Sequence, residues 1–225
     1  MMSRTEILEQ ARQKDCVCGN QYIQCAIDLL LTNGIDITSF VNSVYLLLQQ
    51  GRGKNRNVMI TGPANCGKTL MFNPLVKVYD AFCNPASGTF AWVGAESKEI
   101  IFLNDFRWSP KVLAWHDMLL LLEGHTVHFP APKTHYAQDI VFDKDTPIFC
   151  TTKRPLIYIS DGIVDERETE MMAVRWKVYA FSYQIPLDKQ KECNSCACCF
   201  AHFILENVDL KHETDATSFV ASSAD

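Results

Sequence analysis

The chain has 225 residues, of which 48% are hydrophobic and 21% are charged. These proportions exclude a disordered or collagen-like chain, and a net charge of −5 argues against a strongly basic nucleic-acid clamp. A chain of this length buries on the order of 70% of its unfolded surface. The composition therefore predicts one compact body with short appendages.

The cysteine content and the first residues bear on the compartment. Ten cysteines are too few for a disulfide scaffold of this size, and residues 1–30 lack the pattern of a secretory signal. We therefore expect reduced thiols in the nucleus or cytoplasm, and no secretion. No apolar run approaches the roughly 20 residues that a membrane-spanning helix requires, which predicts no membrane partner.

The N-terminal part shows helical spacing of apolar residues. One series ends near Gly34 and the next ends at Gly51. The first series consists of Tyr22, Ile23, Ala26, Ile27 and Leu30, and the second of Phe40, Val41, Val44, Tyr45 and Leu48. The spacing predicts a small helical hairpin or bundle before residue 54.

From residue 57 the pattern changes to short β-rich runs that alternate with glycines and helical stretches. The predicted strands are 58–61, 89–93, 100–103, 127–129, 147–151 and 177–183. This alternation predicts an α/β fold with a largely parallel sheet covered by helices. One of these helices should begin with Ser109 as its cap and Pro110 in its first turn, and should end at Gly124.

A glycine-rich motif follows the first predicted strand. It fits G-x-x-x-x-G-K-S/T and reads Gly62-Pro63-Ala64-Asn65-Cys66-Gly67-Lys68-Thr69. Such glycines let backbone N–H groups surround a phosphate, Lys68 would contact the β- and γ-phosphates of ATP, and Thr69 would bind Mg²⁺. A turn that matches by chance is the alternative. Pro74 predicts that the following helix is kinked or restarted.

Polar residues follow two later strands. Hydrolysis at a phosphate loop requires an acidic residue at the end of a neighbouring strand, either to hold the water bound to Mg²⁺ or to deprotonate the attacking water. Asp105 is the best candidate for this role at the Mg²⁺ site, after strand 100–103. Asn104 stands where many such motifs carry a first carboxylate. Thr152 and Lys153 follow strand 147–151 and could lie beside the γ-phosphate. The alternatives are a capping aspartate and a polar turn.

The order of these motifs resembles the ATPase domain of superfamily 3 helicases, the replication proteins of parvoviruses, papillomaviruses and small circular single-stranded DNA viruses. The resemblance covers roughly residues 20–185. It implies an AAA+-like P-loop NTPase that hydrolyses ATP with Mg²⁺ in a ring, commonly a hexamer, and translocates on single-stranded DNA.

The resemblance also assigns site residues. It makes Lys68 and Thr69 the Walker A residues and Asn104 with Asp105 the Walker B end. The sensor strand would end at Thr151, Thr152 and Lys153, although the family usually has Asn at this last position. The segment 127–139 resembles the pore hairpin, with Lys133 and His135 at its DNA-binding tip.

An arginine supplied to a neighbouring subunit is also implied. The resemblance favours Arg175 for this role, with Arg167 second, and the alternative is that Arg175 pairs with Glu168 or Glu170. The implied organisation is a helical oligomerisation region at 1–53, the ATPase domain at 54–190, and a Cys-rich segment with an acidic tail at 191–225. A basic patch of Arg52, Lys54 and Arg56 is expected to bind DNA.

The Cys-rich segment has spacings that suit part of a zinc site. The candidate ligands are Cys193, Cys196, Cys199 and His202. A second ligand pair could come from Cys16 and Cys18, or from another subunit. The alternative is a set of free thiols.

Two other functions stay open. A P-loop kinase for a small molecule such as a nucleotide would need a lid rich in arginine, which the sequence does not show. A relic that binds DNA without turnover is compatible with Asn104 and Lys153.

Overall fold

The computed structural model describes residues 2–85, 90–131, 139–190 and 193–210. The helices are α1 (Arg4–Arg12), α2 (Gln21–Thr32), α3 (Ile37–Gln50), α4 (Lys68–Phe72), α5 (Leu75–Val78), α6 (Trp115–Glu123), α7 (Glu166–Ala173) and α8 (Ala197–Asn207). The strands are β1 (Asn57–Thr61), β2 (Ala81–Cys83), β3 (Ile100–Leu103), β4 (Val127–Phe129), β5 (Ile140–Phe142), β6 (Ile148–Thr152), β7 (Ile159–Ser160), β8 (Ile163–Val164) and β9 (Trp176–Ala180).

Five strands form the central sheet, in the order β2-β3-β6-β1-β9. Each neighbouring pair is parallel, so the predicted parallel sheet is confirmed. In this register Thr61 lies opposite Thr152 on one side and Ala180 on the other. The carboxyl ends of the strands therefore meet at one edge, and residues that follow β1, β3 and β6 become neighbours.

Both faces of the sheet are buried, as expected for parallel strands. Alternate residues of each strand point to opposite faces. Val58 and Ile60 pack into a core with α1 to α5 and α8. Met59 packs on the other face into a core with α6, α7 and the β4–β5 hairpin. Among the described residues, no helix is both long and apolar enough to cross a membrane.

Two predicted elements differ from the structure. Residues 90–94 form turns rather than a strand, and Thr89 lies outside the described residues. The helix expected from Ser109 begins only at Trp115, although it ends at Gly124 as predicted. The indole N–H groups of Trp92 and Trp108 donate to the carbonyls of Val112 and Leu113, at 3.1 and 3.0 Å. The backbone of Ala114, with φ of −58° and ψ of 146°, lies outside the helical region and interrupts the helix before Trp115.

The interruption expected at Pro74 is confirmed. Helix α4 ends at Phe72, and α5 begins one residue after the proline. Proline lacks the N–H group that would continue the helical hydrogen bonds.

Candidate functional site

A cavity of about 520 Å³ opens at the carboxyl edge of the sheet. It is bounded by the loop of residues 62–69, which joins β1 to α4, and by the residues that follow β3 and β6. The lining residues are Gly62, Ala64, Asn65, Cys66, Gly67, Lys68, Thr69, Leu70, Asp105, Phe106, Arg107, Thr152 and Lys153. The topology thus brings together residues that the sequence separates by up to about ninety positions.

Two glycines fit the 62–69 loop closely against its surroundings. A Cβ atom on Gly62 would lie 2.2 Å from the carbonyl oxygen of Phe181, just after β9. Gly67 has φ of +85° and packs against Leu29 of α2, so a side chain there would meet both strain and contact. These contacts explain why the loop requires glycine at both positions. They also show that the loop packs directly on α2.

Lys68 lies within the loop. Its side chain is buried at 6% exposure, and its Nζ donates to the carbonyls of Gly62 and Pro63 at 2.9 and 2.6 Å. Cys66 also donates to the Pro63 carbonyl, at 3.1 Å. The ammonium group is therefore held at the mouth of the cavity, where an anion could replace the carbonyl groups.

Asn104 lies at the centre of the polar contacts. Its Oδ1 accepts hydrogen bonds from the hydroxyls of Thr69, at 3.0 Å, and Thr151, at 2.8 Å. Its own carbonyl accepts from Asn84, at 2.9 Å. A neutral amide therefore stands where many such motifs carry a first carboxylate, and it connects the 62–69 loop to β6.

Asp105 has an exposed side chain on the same cavity as Thr69. Its backbone lies in the left-handed region with φ of +47°, a conformation that Asp tolerates better than most residues. Its N–H donates to the Thr151 hydroxyl at 2.8 Å, which fixes this turn. Within the described residues, Asp105 is the one acidic side chain that lines the cavity.

Three cations line the cavity against this single carboxylate. Lys68 and Lys153 were singled out in the sequence, whereas Arg107 was not. Arg107 is exposed and follows Asp105 by two positions. Its place close after the polar end of a strand could have indicated that it lines the cavity. The excess of positive charge suits a polyanion such as a triphosphate.

A buried cysteine also lies near this edge. Complete burial, with a smaller effect from the charge of Asp105, raises the pKa of the Cys150 thiol well above its usual value. This thiol stays protonated at neutral pH, so it does not supply a nucleophile.

Arg175 lies in the interior, which corrects its expected role. Its side chain is 5% exposed, and its guanidinium pairs with Glu123 at 2.8 Å and donates to the carbonyls of Leu119 and Met171. The expected partners Glu168 and Glu170 are not the ones it pairs with. An arginine held this way joins α6 to the end of α7 and is not presented to a second subunit. Arg167, the second choice, is exposed on α7.

Arg52 is likewise an internal residue, so the expected basic patch for DNA is not formed as predicted. It is 2% exposed, and its guanidinium donates to the carbonyls of Leu121, His125 and Lys144 at 2.6 to 2.8 Å. Burial lowers the pKa of Arg52 to about 10, and it remains charged at neutral pH. Of the expected patch, only Lys54 is fully exposed.

The predicted hairpin is present as β4 and β5, which pair antiparallel with Val127 opposite Phe142. Its connection includes Lys133 and His135, which lie outside the described residues. Their expected contact with DNA stays a prediction.

Six of the ten cysteines lie in two groups. Cys196 and Cys199 meet Cys16 and Cys18, and the four sulfur atoms lie within 4.8 Å of one another. Cys193 is not part of this group and contacts Cys25 instead. His202 does not belong to this group either, and its Nδ1 lies 2.7 Å from a carboxylate oxygen of Glu206. Two of the four expected ligands are therefore replaced by the second pair considered in the sequence.

Fold and site together define an α/β protein whose five-stranded parallel sheet carries a glycine-rich loop at its carboxyl edge. No protein-family profile and no curated protein matches the chain. Among solved structures, it is similar to the A form apo structure of the NrS-1 C-terminal region, with a TM-score of 0.52 and 15% identity. That match covers 90% of this chain and 52% of the other.

Two further apo structures of the NrS-1 C-terminal region are also similar to this chain, both at 14% identity. Their TM-scores are 0.48 and 0.49, and they cover 91% and 87% of this chain and 52% and 49% of theirs. The chain therefore spans about half the length of these structures. At such low identity the likeness concerns the fold.

Proposed function

We propose that this chain is an ATP-dependent DNA helicase or translocase of the superfamily 3 kind, acting as a ring on single-stranded DNA. The observation that carries the proposal is the convergence of three strand ends on one cavity. Lys68 and Thr69 belong to the loop after β1, and Asp105 follows β3. Thr151 on β6 donates a hydrogen bond to Asn104, which also accepts one from Thr69. A loop that matched the motif by chance would not need these partners.

Each residue has a defined part in the proposed chemistry. Lys68 would exchange the carbonyls of Gly62 and Pro63 for phosphate oxygens, which replaces neutral acceptors of its hydrogen bonds with negatively charged ones. Thr69 would bind Mg²⁺ through its hydroxyl, and Asp105 would hold the attacking water. The bound ion neutralises the charge that develops on the phosphates.

Asn104 positions these groups without adding charge. Because its oxygen accepts from both Thr69 and Thr151, it holds the loop hydroxyl near β6. It has no carboxylate to offer to metal-bound water. The acidic role therefore falls to Asp105 alone among the described residues that line the cavity.

A neighbouring subunit would complete the site. Phosphoryl transfer gains from a guanidinium supplied in trans. Since Arg175 is paired inside its own chain, Arg167 is the arginine that we propose for this role, because it is exposed. Lys133 and His135 on the hairpin connection would contact the DNA backbone.

The test is ATP turnover with and without single-stranded DNA, combined with nucleotide binding and assembly mass. We expect turnover that DNA stimulates and a particle of about six chains with an ATP analogue and an oligonucleotide. Lys68→Ala should lower turnover by about a hundredfold, because it removes the positive charge that would stabilise the transferred phosphate. Lys111→Ala, an exposed lysine away from the cavity, should leave turnover unchanged.

Other outcomes separate the alternatives. Turnover that depends on a small phosphate acceptor rather than on DNA would favour a kinase. Binding of DNA without any ATP turnover would favour the inactive relic. No detectable binding of magnesium nucleotide by the folded chain would overturn the proposal.

A further inference from the structure

Four cysteines from the two ends of the described chain meet at one point. Cys16 and Cys18 lie between α1 and α2, whereas Cys196 and Cys199 lie at the start of α8. Cys199 Sγ is 3.3 Å from Cys16 Sγ and 3.4 Å from Cys18 Sγ, and the Cys16 and Cys18 sulfurs are 3.9 Å apart. About 180 residues separate the two pairs, so chain proximity does not explain the meeting.

The spacing of the sulfur atoms suits a single tetrahedral metal ion. A Zn–S bond of about 2.3 Å gives a sulfur-to-sulfur edge of about 3.8 Å in a regular tetrahedron. The three measured separations of 3.3 to 3.9 Å lie close to this value, and every pair falls within 4.8 Å. A disulfide requires about 2.05 Å between sulfurs, so none of these pairs is bonded.

The surroundings suit thiolates. The backbone N–H of Asn20 donates to Cys16 Sγ at 3.3 Å, and backbone N–H groups of Val17 and Cys199 also point at the sulfur of Cys196. Such outer contacts orient the ligands of a metal. Cys18, Cys196 and Cys199 are buried, whereas Cys16 is exposed and leaves a path from solvent.

We propose that Cys16, Cys18, Cys196 and Cys199 bind one zinc ion, which fastens α8 to the N-terminal helices. Each thiol loses its proton when it becomes a ligand, so binding releases protons to solvent. Four thiolates in tetrahedral arrangement select zinc over magnesium or calcium, which prefer oxygen ligands. The site is structural, because all four positions are filled by protein and none is left for a substrate.

The proposed ion lies within the helical layer of the first core. Helix α8 packs against α1, α2 and α3, and α2 carries Leu29 under Gly67. The four sulfur atoms meet only in the folded chain, so binding of the ion favours the folded state. The ion therefore stabilises the layer that supports the 62–69 loop without touching the cavity.

The first measurement is the metal content of the full chain, purified in reducing buffer with zinc and then freed of excess metal. We expect one zinc per chain. Cys16→Ser and Cys196→Ser should each weaken zinc binding by at least about tenfold. The matched controls are Cys193→Ser, a neighbour outside the cluster, and Cys83→Ser, an exposed thiol on β2; both should keep full zinc content.

A second measurement begins with the parent chain, so its first result does not depend on any variant folding. Cobalt added to the metal-free chain should give the absorption bands of tetrahedral four-thiolate coordination, and zinc should displace it. Loss of these bands in Cys16→Ser but not in Cys193→Ser supports the ligand set. Absence of zinc in every preparation, iron in its place, disulfide-linked peptides among these cysteines, or zinc retained after Cys16→Ser and Cys196→Ser together would overturn the proposal.

Discussion

The 62–69 loop and the four-cysteine cluster are two sites built in opposite ways. The loop is contiguous, and Lys68 bonds carbonyl groups only five and six residues away. The cluster joins residues 16 and 18 to residues 196 and 199. The loop can therefore be recognised from spacing along the chain, whereas the cluster forms because α8 packs on α1 and α2.

Removal of metal should produce the largest effect and tests this contrast directly. Chelation should lower the free energy of unfolding by about 3 kcal/mol or more, because structural zinc contributes directly to folding. Thermal unfolding with and without chelator measures it. Nucleotide affinity at a temperature where the chain stays folded should change little. If nucleotide affinity fell together with the free energy of unfolding, the two sites would not be independent.

Gly62→Ala should produce the next effect, at the other site. A Cβ atom 2.2 Å from the Phe181 carbonyl forces a shift of the loop, which we expect to cost about 2 to 3 kcal/mol. Denaturant unfolding gives the value. The matched control is Gly94→Ala, which also has a positive φ but meets no atom within 4 Å. A cost for Gly62→Ala no greater than for Gly94→Ala would show that the close approach does not matter.

Thr151→Val tests how far the loop depends on its non-local partners. It removes the hydroxyl that donates to Asn104 Oδ1 and accepts from the Asp105 N–H. Leaving the part-buried Asp105 N–H without this acceptor should cost about 1 kcal/mol. ATP turnover should fall with stability because Asp105 is no longer fixed. Unchanged stability and turnover would show that the site does not depend on the hydrogen bonds of Thr151.

Asp145→Asn should have the smallest effect and concerns the far end of α1. The Arg4 guanidinium bonds Asp145 at 2.7 Å and holds the pKa of this carboxyl below its usual value. The pair should contribute about 0.5 kcal/mol at neutral pH, as exposed ion pairs do. Since the folded pKa is lowered, this contribution is present above about pH 4 and is lost as pH falls further.

Urea unfolding of Asp145→Asn and the parent chain from pH 7 to pH 3 checks this sign. The two curves should converge toward acid. A gap that widened on acidification would contradict the assignment. The comparison also shows how much weaker an exposed ion pair is than the proposed ion at the other end of the same helix.

The features predicted correctly from sequence depend on local patterns. The parallel sheet and strand β4 follow from short apolar runs, whereas strand β5 begins just after the segment 127–139 and was not predicted. The helix predicted to start at Ser109 starts at Trp115, because the backbone of Ala114 is not helical. Strand β2 has three residues, too few for a pattern to indicate it.

The burial of two charged side chains could not be predicted from the sequence. Arg52 and Arg175 resemble surface cations in the sequence, yet both are satisfied by carbonyl groups from distant segments. The exchange of Cys193 and His202 for Cys16 and Cys18 has the same cause. In each case the partner is decided by helix packing, which spacing along the chain does not record.

The position of Arg52 has a mechanical consequence for the β4–β5 hairpin. One guanidinium bonds the end of α6, through Leu121 and His125, and the segment just after β5, through Lys144. Charge-assisted bonds of this kind contribute about 1.5 to 3 kcal/mol each. The end of α6 and the segment after β5 are thus joined by one buried side chain, so any displacement of the hairpin must move α6 with it or break those hydrogen bonds.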